Sequence, residues 1–309
     1  MKTALLFSGQ GAQAVGMGKD LAAAFPVAAT LFRRADEILG YSLSQIVFDG
    51  PDVELTRTAV CQPALYVHGL AILAVLREQV PTLSFNAAAG LSLGEFTAHA
   101  AAGTFDFETG LRLVDQRARF MQEACEATEG GMAAIIGADE QEVRNLAEAA
   151  DVDVANFNSP GQIVISGEKS KIALAAGMAR EYGARKAVEL TVAGAFHSRL
   201  MESAYQSLGA VLLETPVTIP KIPVVSNVDA RPAETAEAIR RSLAEQVTGS
   251  VRWTSSVEYM IDHLGISRFL ELGPGGVIAG LVGRIRKGSE VISISDSLSL
   301  EAALPILRA

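Results

Sequence analysis

The sequence predicts an α/β protein, with a large unit on a mainly parallel sheet and a small α+β unit inserted into it. Three observations carry this. Short apolar runs alternate with helix-patterned stretches toward both ends of the chain, as in a parallel sheet covered on both faces. Between residues 131 and 191 the order changes to β-α-β-β-α-β, a ferredoxin-like unit. Finally, Gly90-Leu91-Ser92-Leu93-Gly94 lies between an Ala-rich extended run (Phe85 to Ala89) and a helix-like stretch (Glu95 to Ala101). Strand, tight turn and helix with a serine at the turn is the nucleophile-elbow pattern of α/β-hydrolase-like sheets.

Residues 3 to 7 read as a buried strand running into the glycine-rich loop Ser8-Gly9-Gln10-Gly11-Ala12-Gln13. The loop is not a phosphate P-loop, because no Gly-Lys-Ser/Thr follows. Helices are expected at Gly18 to Ala24, Val27 to Leu39, Gln62 to Val80 and, after the elbow, Phe107 to Glu126. In the insert, Gly131 to Gly137, Val152 to Asn156, Ile163 to Ser166 and Lys186 to Thr191 are strands. Glu140 to Ala149 and Lys169 to Tyr182 are helices, and Phe157 to Gly161 a turn. Beyond it come a helix from Leu200 to Leu212, a strand from Ile222 to Ser226 and helices Glu234 to Val247 and Trp253 to Leu264. Strand Arg268 to Leu272, helix Val277 to Ile285, strand Val291 to Ser293 and a last helix from Leu298 complete the chain. The large unit is expected over 1–127 and 196–309, and the insert over 128–195.

A formal net charge of −9 over 309 residues argues against general affinity for nucleic acid or membrane surfaces. The two cysteines, Cys61 and Cys125, lack metal-ligand spacing, and the four histidines are scattered, so no metal site or disulfide framework is expected. The apolar start breaks at Ser8-Gly9, too early for a signal peptide, and no run is expected to reach membrane-spanning length. These features suit a cytoplasmic protein in a reducing compartment.

Serine is a poor nucleophile at neutral pH; it needs a base and donors for the oxyanion formed on attack at a carbonyl. A glycine-flanked serine before a helix also reads simply as an N-cap. His68 and His99 lie on helices and read as structural, and His263 as a solvated or capping residue. His197 differs: Ala195-Phe196-His197-Ser198 is a loop returning from the insert, and His197 is the best base in the chain. The N–H of Leu93 and an N–H from the Gly9-Gln10-Gly11 loop suit the oxyanion. Arg112, Arg117 and Arg119 follow on one helix; such residues usually form a solvated face, but one turned inward would clamp a carboxylate. An α/β-hydrolase places its triad acid between serine and histidine and its histidine near the C-terminus. Here about a third of the chain follows His197, so the architecture differs.

Six ordered motifs then stand out: Phe7-Ser8-Gly9-Gln10-Gly11-Ala12-Gln13; Gly90-Leu91-Ser92-Leu93-Gly94-Glu95; Arg117 with Met121-Gln122-Glu123-Ala124; Asn156 to Gln162; Ala195-Phe196-His197-Ser198; and Glu271-Leu272-Gly273-Pro274-Gly275. Together, over residues 3 to 287, they resemble the malonyl-CoA:acyl carrier protein transacylases of fatty acid synthesis and the related acyltransferase domains of polyketide synthases. The resemblance implies ping-pong transfer of a malonyl group from malonyl-CoA to the phosphopantetheine thiol of an acyl carrier protein. It implies Ser92 as nucleophile, His197 as base and then acid, the backbone N–H groups of Gln10 and Leu93 as oxyanion hole, and Arg117 as the clamp on the malonyl carboxylate. Gln246, on a later helix, matches the residue that orients the histidine. Phe196 and Met121 match substrate-binding positions, and the bulk of Phe196 favours malonyl over methylmalonyl. No metal or organic cofactor is implied, and a monomer is expected.

Two positions depart from the family pattern: Ser8 replaces a common proline and Leu91 a common histidine. An acidic carrier calls for a basic patch on this acidic chain. Arg185-Lys186 is one candidate; Arg284, Arg286 and Lys287 are the other. Two further readings keep the scaffold but change the task, an acyl hydrolase or editing enzyme and a polyketide acyltransferase acting in trans. A third is a non-catalytic carrier-binding protein.

Overall fold

A computed structural model describes residues 1–308; Ala309, the end of the expected large unit, lies outside the described residues. Strand β1 (Thr3–Phe7) is followed by helices α1 (Lys19–Ala24), α2 (Pro26–Leu39), α3 (Leu43–Asp49), α4 (Asp52–Leu55) and α5 (Thr58–Gln79). Strand β2 (Ala87–Gly90) leads into α6 (Leu93–Ala102) and α7 (Phe107–Glu126). Next come β3 (Gly130–Ile136), α8 (Glu140–Ala149), β4 (Asp153–Ser159), β5 (Gln162–Glu168), α9 (Lys169–Met178) and β6 (Lys186–Glu189). Helices α10 (Glu202–Glu214), α11 (Ala236–Glu245) and α12 (Trp253–Asp262), strand β7 (Arg268–Leu272), α13 (Val277–Ile285), β8 (Glu290–Ile294) and α14 (Ser297–Arg308) complete the order.

The first sheet runs β2-β1-β7-β8, all parallel. Its central strand β1 is Thr-Ala-Leu-Leu-Phe with every residue buried, as a strand covered on both faces requires. Register pairs Phe7 with both Gly90 and Leu272. The loops after β1, β2 and β7 therefore leave the sheet together at its carboxyl edge, where parallel sheets place their sites.

The second sheet is antiparallel with order β4-β5-β3-β6, and α8 and α9 pack on one face over their own apolar cluster. Alternation along β3 sorts its two faces. Ala133 and Ile135 face that cluster, while Met132 and Ala134 join the main core. The edge of β4 is tied to the chain just beyond α11: Val251 N–H donates to Ala155 O at 2.8 Å, and Phe157 N–H to Val251 O at 2.9 Å.

Four expectations need correction. Residues 222 to 226 form no strand. Ala88 N–H bonds Pro223 O and Val225 N–H bonds Ala88 O, giving an isolated bridge beside β2; Pro220 and Pro223 lack the N–H groups a longer ladder needs. The turn at 157–161 is tighter than expected, because β4 runs to Ser159 and β5 starts at Gln162. Helices α3 and α4 were not predicted; they are too short for a helical period to stand out. Lastly, α5 has the length and mean hydropathy (1.8) of a membrane span. It is instead the central core helix, buried from Val60 to Leu76 except at Ala74.

Candidate active site

Ser92 sits where β2 turns into α6, with φ 55° and ψ −111°. A non-glycine residue there is strained and is held by its surroundings. Asn227 does the holding: its Oδ1 accepts the Ser92 N–H at 2.7 Å and its Nδ2 donates to Gly90 O at 2.8 Å. A side chain at Gly94 would collide with Phe7 O, and one at Gly9 with Leu91 O. These glycines let the loop after β1 and the elbow lie backbone to backbone. Ser92 occupies the N-cap position of α6 but makes no side-chain capping bond, so its hydroxyl is available elsewhere.

That hydroxyl lies 2.8 Å from His197 Nε2. His197 Nδ1 lies 2.7 Å from the backbone carbonyl of Gln246. A carbonyl only accepts, so Nδ1 carries the proton and Nε2 is left to receive one from Ser92. Gln246, expected from the sequence beside the histidine, meets it through its main chain and not its side chain. Burial, followed by the charge of Arg117, lowers the His197 pKa to about 4. The imidazole is therefore neutral at working pH.

The Gln246 side chain has a different task. Its Oε1 accepts from Arg117 Nη2 at 2.7 Å, and its Nε2 donates to Ser92 O at 2.9 Å and Glu95 Oε2 at 2.6 Å. Arg117, from α7, is 1% exposed. Its Nη1 donates to Gln62 Oε1 at 2.6 Å and its Nη2 to Ser92 Oγ at 3.1 Å. Its Nε has no partner among the described residues, and its guanidinium carbon lies 5.3 Å from the centre of the Phe96 ring. All its direct partners are neutral. Burial lowers its pKa to about 10, with Glu95 opposing the fall, so the group stays cationic. Of the three arginines on α7, Arg112 and Arg119 are exposed and paired with Glu108 and Asp115; only Arg117 turns inward.

A cleft of about 720 Å³ opens over Ser92, lined by Gln10, Leu93, Met121, Phe196 and His197 and roofed by Met132 and Val164 of the second sheet. The backbone N–H groups of Gln10 and Leu93 donate to no acceptor among the described residues. Arg185 and Lys186 are exposed at the start of β6, whose continuation, Leu190 to Ala193, lines the cleft. Arg286 is already paired with Asp262 at 2.8 Å. His68 and His99 are buried on Ser295 O and Thr104 Oγ1, and His263 is exposed, stacked on Tyr259. Among the described residues no cluster of three metal-ligating side chains occurs.

The sequence reading missed Gln62, Asn227 and the contacts of Glu95. Gln62 looks like the polar start of an apolar helix, and Asn227 like a loop residue after an apolar run. Their partners lie 55 and 135 positions away along the chain, so no local pattern reveals them.

The fold and the site define an acyltransferase: residues 4–275 match the acyl transferase domain family. The malonyl CoA-acyl carrier protein transacylase of Bacillus subtilis is 40% identical over 312 residues, covering 99% of this chain and 98% of that protein. A polyketide biosynthesis malonyl CoA-acyl carrier protein transacylase from the same organism is 41% identical over 292 residues, covering 93% and 98%. A solved structure of a type II PKS acyl-carrier protein in complex with its malonyl-transacylase matches at a TM-score of 0.95 and 39% identity, covering 99% of this chain and all of that one. The chain belongs to the malonyl CoA-acyl carrier protein transacylase family.

Proposed function

We propose that this enzyme moves a malonyl group from malonyl-CoA to the phosphopantetheine thiol of an acyl carrier protein, through an ester on Ser92. The observation that carries the reading is Arg117, a buried cation with only neutral direct partners, one nitrogen of which lies 3.1 Å from Ser92 Oγ. Such a group is complementary to an acyl chain ending in a carboxylate, and a plain acyl group leaves it unpaired.

In the first half-reaction His197 Nε2 takes the Ser92 proton as Oγ attacks the thioester carbonyl. The oxyanion is received by the N–H groups of Gln10 and Leu93. Collapse expels the CoA thiolate, which takes the proton back from His197. The second half-reaction runs the same steps in reverse order of groups, with the carrier thiol giving its proton to His197 and attacking the Ser92 ester. The Gln246 carbonyl holds the imidazole through both halves and favours the imidazolium that forms transiently. Phe196 and Met121 border the acyl group, and Phe196 leaves least room for a branched one.

The strand order of the second sheet supports a ferredoxin-like insert over 128–195, and the parallel sheet an α/β-hydrolase-like body over 1–127 and 196–309. We read the enzyme as a cytoplasmic monomer that needs no metal or organic cofactor. Arg185 and Lys186 are one docking candidate for the acidic carrier; in the other cluster Arg286 is already paired, which leaves Arg284 and Lys287. The test is to incubate the protein with radiolabelled malonyl-CoA and then add holo acyl carrier protein. Label should appear on the protein, be absent from Ser92→Ala, and pass to the carrier. Rapid release as free malonate would instead identify a hydrolase.

A further inference from the structure

Glu95 is a buried acid beside the site that the acyl-transfer steps leave unused. It lies in the first turn of α6 and is wholly inaccessible. Its Oε2 accepts from Gln246 Nε2 at 2.6 Å and from the Asn227 N–H at 3.1 Å. Its Oε1 has no partner among the described residues. The Gln246 amide is oriented without ambiguity, because its oxygen faces a guanidinium that only donates and its nitrogen a carboxylate. One amide thus separates the cation Arg117 from the acid Glu95.

The charged surroundings are few. Helix α6 packs on β1 and β2, which carry no ionisable side chain. It packs also on α5, whose buried His68 is held on Ser295 O and whose Arg77 donates to Ala101 O at the far end of α6 at 3.0 Å, and on α7, which supplies Arg117. His99 lies one turn along α6, with its pKa lowered to about 3 by burial. Asp229 follows Asn227 in the adjoining loop, and His197 stands across Gln246. Burial drives the Glu95 pKa up to about 7; the hydrogen bonds from Gln246 and Asn227 and the charge of Arg117 pull against it, while Asp229 adds to it.

We propose that Glu95 takes up a proton when a carboxylate-bearing acyl group binds Arg117, and so sets how strongly that group is preferred over a neutral one. The inference rests on Arg117 being the acyl clamp. Before binding, ionised Glu95 is the counter-charge of Arg117 across the Gln246 amide. An arriving carboxylate occupies the guanidinium and adds a like charge in the same low-dielectric space, which destabilises the ionised acid. The proton comes from solvent and goes to Oε1, the oxygen without a donor. A neutral acyl group drives no such uptake.

The experiment uses the Ser92→Ala protein, which cannot form the ester, titrated calorimetrically with malonyl-CoA and with acetyl-CoA. Each titration is run in two buffers of different ionisation heat, at about pH 6 and about pH 8. The two ligands share the CoA phosphates, so their difference isolates the carboxylate. Malonyl-CoA should take up roughly half a proton or more beyond acetyl-CoA near pH 8, and close to none near pH 6. Its affinity relative to acetyl-CoA should weaken by up to about tenfold per pH unit above neutrality. Glu95→Gln keeps an acceptor for Gln246 and Asn227 and should abolish both effects; the pH dependence in the Ser92→Ala protein stands as a test without that variant. Preferential malonyl-CoA binding without extra uptake, or with uptake that survives Glu95→Gln, overturns the proposal. Malonyl-CoA binding no tighter than acetyl-CoA would instead overturn the clamp itself.

Discussion

Replacing Arg117 with alanine separates recognition of the acyl group from the chemistry performed on it. The guanidinium makes three polar contacts, to Gln62, Gln246 and Ser92, and its Nε has no partner among the described residues. In Arg117→Ala the malonyl carboxylate enters the same buried space without a partner. Breaking a buried pair in this way costs about 3–5 kcal/mol, so kcat/KM for malonyl-CoA should fall by roughly 150- to 5,000-fold. Acetyl-CoA brings no charge and should not share the loss. His197 is oriented through the Gln246 backbone rather than its side chain, so the base survives the substitution. The variant also orphans the Oε1 acceptors of Gln62 and Gln246, at about 1–3 kcal/mol each, and its unfolding midpoint should drop. The assay is steady-state transfer to holo carrier protein from each thioester, normalised to folded protein. The malonyl-to-acetyl ratio should collapse by the same factor, roughly 150- to 5,000-fold. A parallel fall for both thioesters, with the ratio intact, refutes the clamp.

Two further outcomes follow from the same geometry. With the His197 pKa lowered to about 4, the base stays neutral as pH falls through the usual imidazole range, so the acid limb of kcat/KM should bend near pH 4; a bend near the ordinary imidazole value of about 6.5 would show that the ring is solvated. Gly9→Ala places a methyl group against Leu91 O and should push the oxyanion loop off the elbow, lowering kcat by about 10²–10³ with little change in KM; a change confined to KM would place the loop in binding rather than catalysis.

Much of the fold was legible because its signals are local. Helix α7 begins after Asp106, whose side chain accepts the Thr109 N–H at 2.8 Å, and its apolar stripe has helical spacing. Helix α8 carries a capping box from Asp139 and Glu142. Strands β1 and β7 are short apolar runs bounded by turn residues and were placed to the residue. The segment around Val224 failed because apolar content alone does not say whether N–H groups are present to build a ladder. The expectation that no run reaches membrane-spanning length failed at α5, because burial inside a protein and burial in lipid select the same residues.

At the site, the sequence by itself singled out the two residues proposed as the reacting groups. The glycines of the elbow and of the loop after β1 are required by backbone contacts that any side chain would block, and Ser92 and His197 each lie on a distinctive loop. Which arginine turns inward was a matter of resemblance until α7 was packed against α5 and α6, for helical spacing leaves Arg112, Arg117 and Arg119 alike polar. Only the tertiary structure decided the network of Gln62, Asn227, Glu95 and Gln246. These residues meet because parallel strands deliver their loops to one edge of the sheet, and because a buried cation and a buried acid must find hydrogen-bond partners wherever in the chain those lie.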